Sequence, residues 1–305
     1  MTETVQVREV GPRDGLQMTK TILPTERKLE WCRREVAAGL ADIEVTSFVS
    51  PRIAPQFADA AEVARGALEI EGCRPAALVP NLKGAQLALD AGIRSLYFVM
   101  SASDAHNRAN VRRTAEESIE EFGRIIAYRN SLPGEKAWIG SGIATAFGCT
   151  IQGEVPEARV LEIAARLAEA GADGINVADT VGYGDPAQVR RLVKAVMDEV
   201  APLPVACHFH DTRGLGLANI LAAADIGVRS FDASLAGIGG CPFAPSASGN
   251  VDMEGAIFLL ERLGLSTGVD LEALMALRQD IEKWLPGEQF ARGVGVAGLP
   301  RRQAG

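Results

Sequence analysis

Short apolar runs of five to eight residues alternate along the chain with longer stretches in which apolar side chains recur every three or four positions. The first kind reads as buried strand and the second as amphipathic helix. The runs predict strands at Val5–Val10, Ile43–Phe48, Ala76–Pro80, Ser95–Met100, Ala137–Ala144, Gly174–Ala178, Val205–His210 and Ser230–Leu235. Between them the helical period covers Thr25–Ala38, Ala58–Glu69, Gly84–Ala91, Ala115–Ser131, Glu157–Ala170, Ala187–Val200, Gly216–Asp225 and Met253–Leu263. Helices meet glycine at Ala38-Gly39, Ala91-Gly92, Ala170-Gly171 and Ile226-Gly227, the residue best suited to a left-handed C-terminal cap. Proline stands near helix starts in Leu23-Pro24, Val155-Pro156 and Asp185-Pro186.

Strict alternation of eight strands with eight helices implies parallel pairing, and eight units close a barrel. The predicted fold is therefore a (β/α)8 TIM barrel. An open doubly wound sheet usually begins with a glycine-rich phosphate loop, and Gly11-Pro12-Arg13-Asp14-Gly15 lacks that spacing. The expected organisation is a single catalytic domain over 1–305, with the barrel at about 5–265. Positions from about 266 to 305 form a short C-terminal extension: a capping helix at Leu271–Trp284 and a mobile polar tail containing Arg301 and Arg302.

Composition narrows the picture. A hydrophobic fraction of 47%, only 5% aromatics and 32 glycines suit a large aliphatic core with many turns. A net charge of −8 argues against nucleic acid as partner. Five scattered cysteines without a CxxC pair point to reduced thiols rather than a disulfide framework. The absence of a leader-like start and of any long uncharged apolar window leads to a cytoplasmic, soluble chain with no membrane association as the expectation. Association of barrels through outer helices makes a homo-oligomer the expected assembly.

Barrel chemistry collects at the C-terminal ends of strands. His208 and His210, two of only three histidines, stand there at i and i+2, so both imidazoles face one side of a strand. With oxygens from Asp14 and Asn250 they would suit octahedral Mg²⁺ or Mn²⁺ with positions left open. This pattern names a metal site without naming a reaction. Glu44 interrupts an apolar strand, either to hold Arg13 or to polarise a water; Asp179 ends the sixth strand with a similar ambiguity. Glycines 237, 239 and 240 lead to Cys241, a thiol that could donate a proton on a loop able to approach a ligand. Lys20, Arg52, Lys83, Arg108, Arg112 and Arg113 are basic candidates near the rim, and His106 is expected in an exposed loop.

At these residues the sequence resembles the HMG-CoA lyases. The resemblance runs from Val7 to about Leu265 and rests on Glu9-Val-Gly-Pro-Arg-Asp-Gly-Leu-Gln17, His208-Phe-His-Asp211, and Ala236-Gly-Ile-Gly-Gly-Cys-Pro-Phe-Ala244 with Ala247-Ser-Gly-Asn250. It implies Asp14, His208, His210 and Asn250 as metal ligands, Arg13 as the catalytic arginine and Cys241 as the catalytic cysteine. It also implies Glu44, Asp179 and Glu254 at acidic active-site or supporting positions, Gln17 and Ser47 as support, and Lys20 against coenzyme A. The implied reaction cleaves 3-hydroxy-3-methylglutaryl-CoA to acetyl-CoA and acetoacetate in an acyl-CoA lyase. The base would be His208 or a nearby carboxylate, and the final proton would come from Cys241 or a water. Related 3-hydroxyacyl-CoA substrates, such as citramalyl-CoA or a longer 3-alkyl homologue, are the alternative.

Three stretches depart from the family pattern: Gly148-Cys149-Thr150-Ile151, Asn176 where a serine is common, and the basic loop His106–Arg113. Related synthases usually carry Glu where this chain has Leu16, along with an added C-terminal region. A non-catalytic barrel that only binds acyl-CoA would lack a ligand or an acid, and none is missing.

Overall fold

The computed structural model describes residues 2–240 and 249–300. Its strands are β1 (Gln6–Glu9), β2 (Asp42–Ser47), β3 (Arg74–Val79), β4 (Ser95–Ser101), β5 (Trp138–Ala144), β6 (Ile175–Asp179), β7 (Val205–Phe209) and β8 (Ser230–Ala233). All neighbours pair in parallel, and β8 returns to β1 to close the barrel. Helices α1 (Thr25–Ala37), α2 (Ala60–Leu68) and α3 (Leu82–Asp90) follow the first three strands. Next come α4 (Asp104–Val111), α5 (Ala115–Ser131), α6 (Glu157–Glu169), α7 (Pro186–Glu199), α8 (Gly216–Asp225) and α9 (Met253–Arg262). The chain continues into α10 (Leu271–Trp284) and the short α11 (Gly293–Ala297).

Local chemistry explains the boundaries. The Asp185 side chain caps α7 through the Ala187 and Gln188 amides, and Pro186 opens the helix where its missing N–H costs nothing. Thr114 and Glu117 form a reciprocal capping box at α5. The outer helices bury one apolar stripe each, as α6 does with Val160, Ile163, Ala164 and Leu167. Between helices and strands lies a continuous apolar layer that includes Trp31, Phe98, Phe122, Phe209 and Phe231, all fully buried.

Three expectations need correction. The segment after β4 is not an open basic loop: Ser103 caps it by accepting the His106 amide, and it forms α4. His106 is buried, not exposed, and its Nδ1 meets the Ser101 hydroxyl at 2.7 Å. The polar tail is anchored over 287–300, because the Ala291 amide donates to the Ala236 carbonyl and buried Arg278 donates to the Ala291 carbonyl. Arg301 and Arg302 lie outside the described residues, as does Cys241 with its neighbours 242–248.

Candidate active site and metal centre

Immediately after β1 the chain makes a wide π-type turn, Gly11–Gly15, in which the Asp14 and Gly15 amides return to the Val10 carbonyl. Such turns displace side chains from regular helical positions and occur often at functional sites. This one carries Arg13 and Asp14 to the barrel mouth. Arg13 is held from two sides: Nε donates to Glu44 Oε2 at 2.7 Å and Nη1 to Asp14 Oδ1 at 2.6 Å. Burial disfavours the guanidinium charge, but Glu44 and Asp14 outweigh it and raise its pKa above the ordinary value. Glu44 thus holds Arg13, one of the two roles its sequence position allowed.

Asp14 Oδ2 accepts from Asn250 Nδ2 at 2.8 Å and lies 3.6 Å from His210 Nε2. The two imidazoles face each other, with His208 Nε2 3.1 Å from His210 Nε2. One ligand atom each from Asp14, His208 and His210 falls within 4.8 Å of the others. Burial pushes the Asp14 carboxyl up, yet Arg13 and the two histidines hold it well below the usual carboxylate range. It therefore stays an anion, as a ligand must. Asn250 spends its amide nitrogen on Asp14 and the Ile238 carbonyl, while its buried Oδ1 has no partner among the described residues. An unsatisfied buried oxygen beside three convergent donors is what a divalent cation would satisfy. The residues fit a metal with two nitrogen and two oxygen donors.

Behind His208 lies a network that sequence reading missed. His208 Nδ1 meets Asp232 Oδ2 at 3.2 Å, and Asp232 is in turn bound by Arg8 Nη2 at 2.7 Å and Asn176 Nδ2 at 2.6 Å. Burial is again outweighed, here by Arg8 and His208, and the Asp232 carboxyl falls to about 2. The signal available was charge inside strands: Arg8 beside Glu9 in β1, and Asp232 in β8. Their pairing depends on the β1–β8 register, which sets Arg8 opposite Asp232.

A cavity of about 590 Å³ opens over these groups. Arg13, Asp14, His208 and His210 line it together with Glu44, Gln17 and Ser47, while Ile53, Asn110 and Arg112 stand among the residues at its wall. Other expected residues lie elsewhere. Asp179 does not line the cavity; its carboxylate accepts the Tyr183 and Gly184 amides at 2.8 and 2.9 Å, and burial raises its pKa. Glu254 accepts the Ala236 amide and pairs with Arg278 at 3.0 Å, so it braces the turn that leads toward position 241. Lys20 is exposed and absent from the lining, and its backbone amide binds Glu288.

Fold and site together define a (β/α)8-barrel enzyme whose candidate metal centre sits at the strand ends. Residues 4–281 match the HMGL-like family. The chain is 41% identical over 277 residues to cytoplasmic 3-hydroxy-3-methylglutaryl-CoA lyase of Rattus norvegicus, covering 90% of this chain and 79% of that protein. It is also 41% identical over 306 residues to (R)-citramalyl-CoA lyase of Chloroflexus aurantiacus, covering 97% and 95%. Among solved structures, an HMG-CoA lyase from Acenitobacter baumannii in complex with coenzyme A and 3-methylmalate superposes with a TM-score of 0.90 at 39% identity, covering 97% and 95%. The chain belongs to the HMGL-like family and is a carbon–carbon lyase.

Proposed function

We propose that this protein cleaves 3-hydroxy-3-methylglutaryl-CoA to acetyl-CoA and acetoacetate with Mg²⁺ or Mn²⁺ as cofactor. The observation that carries the reading is the convergence of Asp14, His208 and His210, beside a braced Arg13, in one cavity, with an Asn250 oxygen that has no partner among the described residues. The relatives named as HMG-CoA lyases support the substrate, and the relative solved with coenzyme A supports an acyl-CoA partner.

Asp14, His210 and Asn250 would hold the ion, with His208 completing the set in the resting site. When bound, the cation supplies Lewis-acid polarisation to the thioester carbonyl and tertiary hydroxyl. With the substrate in place His208 would no longer be a ligand, so its Nε2 lone pair takes the hydroxyl proton while Asp232 at Nδ1 balances the charge. Other carboxylates are committed: Glu44 to Arg13, Asp179 and Glu254 to backbone amides. As the hydroxyl oxygen becomes a ketone, the carbon–carbon bond breaks and its electron pair forms the thioester enolate. Arg13, locked before the reaction, presents fixed positive charge to that enolate oxygen. A proton from Cys241, which lies outside the described residues, or from a water completes acetyl-CoA.

The Chloroflexus aurantiacus relative favours one second reading, cleavage of citramalyl-CoA to acetyl-CoA and pyruvate, by the same chemistry on a shorter acyl group. Assaying both thioesters separates the two. The larger kcat/KM is expected with 3-hydroxy-3-methylglutaryl-CoA, and a larger value with citramalyl-CoA would transfer the assignment. The chain is proposed to act in the cytoplasm as one catalytic domain and to associate into a homo-oligomer. Among its described residues no helix is long and apolar enough to cross a membrane.

A further inference from the structure

We propose that Arg8 receives the free carboxylate of the substrate's acyl group and so sets the preference for acids over neutral acyl chains. The inference rests on the lyase reading of the cavity.

The cavity opens at the C-terminal ends of the strands, so the long coenzyme A arm leaves through that mouth. The acyl end then points inward. A free carboxylate there is taken out of water and is costly without a cation. Among the described residues, four cationic side chains line the cavity: Arg8, Arg13, Arg112 and Arg113. Arg13 is bound to Glu44 and Asp14 at the metal centre. Arg112 is exposed, and Arg113 is turned to the Pro80 carbonyl and lies 3.7 Å from Glu121. Arg8 alone lies deep.

Strand register fixes its depth. Arg8 pairs with Asp232 across the β1–β8 seam, and Asp232 pairs with His208 on β7. These three side chains form a layer one step below His210 and Asp14. A substrate whose hydroxyl reaches the metal donors therefore directs its far end toward this layer. The guanidinium is also pre-set. Only Nη2 is used, by Asp232, while the Tyr97 ring covers the guanidinium plane at 3.5 Å. Nε is buried and closed to a ligand, and Nη1 makes no hydrogen bond among the described residues. An arginine fixed on one edge and one face keeps an edge of N–H donors in the geometry that a carboxylate takes.

The test uses two thioesters that differ only in that carboxylate, 3-hydroxyglutaryl-CoA and 3-hydroxybutyryl-CoA, with calorimetric binding to the Mn²⁺-loaded protein. The native chain should bind the acid tighter by on the order of tenfold or more. Arg8→Gln should bring the ratio close to one, and Arg8→Lys should restore part of it. Should Arg8→Gln fold poorly, the native ratio and the Arg8→Lys variant still decide. Equal affinities in the native protein would overturn the inference while leaving a working lyase. A ratio unchanged in Arg8→Gln, including a parallel loss for both ligands, would make Arg8 a support for Asp232 and nothing more. Failure of both thioesters to bind would overturn the lyase reading itself, and this inference with it.

Discussion

Gly239 shows how closely the candidate metal centre is drawn. It adopts φ +136°, and a Cβ there would lie 2.4 Å from Asn250 Nδ2 and 3.5 Å from Asp14 Oδ2. Gly239→Ala removes no ligand, yet it should push Asn250 away from Asp14 and weaken Mn²⁺ binding in a calorimetric titration; unchanged affinity would show that Asn250 is not confined from this side. Asp232 acts from the opposite side. A carboxylate on the remote nitrogen fixes which nitrogen of a histidine faces the metal, and losing such a partner costs about 10–100-fold in affinity. Asp232→Asn should lower Mn²⁺ affinity by that order, and an unaffected titration would sever Asp232 from the centre. Residue identity alone exposed the His208–His210 pair, because spacing of i and i+2 on a strand is a local fact. It could not expose Asp232 or Arg8, since their meeting with His208 is created by barrel closure. Nor could it reveal that Asp179 and Glu254 spend their carboxylates on backbone amides.

At the scale of elements, Glu9 at the end of β1 ties two functional turns together. Its carboxylate accepts the Gly11 amide and the Leu235 amide, linking the turn of Arg13 and Asp14 to the turn that runs toward position 241. Burial pushes its pKa from 4.5 up to about 7, outweighing the hydrogen bonds from Glu35 and from the Gly11 and Leu235 amides. A folded-state value above the unfolded one means that the native state holds the proton more tightly. The stability contributed is complete below the unfolded value and is lost as pH rises through about 7. Melting temperature of the native chain should therefore fall from about pH 5 to about pH 8, and Glu9→Gln should flatten that fall. Parallel slopes in the two proteins would remove Glu9 as the cause. The elements themselves were largely legible, because strand and helix periods differ and glycine and proline punctuate them. Of the two helices missed, α4 and the short α11, α4 is mostly polar; its capping by Ser103 and the docking of His106 and Asn107 onto β4 are tertiary facts that periodicity does not carry.

The whole molecule brings the beginning and end of the barrel to one point. Asp14 follows β1 and Asn250 follows β8, 236 positions apart, yet they share a hydrogen bond of 2.8 Å. The donor set exists only when β8 pairs with β1, so an ion bound there stabilises the closed barrel over the unfolded chain. The global charge of −8 plays no part in drawing an acidic thioester; the fixed cations inside the cavity do that locally. The most direct test of the account follows acetyl-CoA release from 3-hydroxy-3-methylglutaryl-CoA before chelation, after chelation, and after Mn²⁺ is returned. Release should stop on chelation and recover with the metal. Release indifferent to chelation, or none with either Mg²⁺ or Mn²⁺ present, would contradict it.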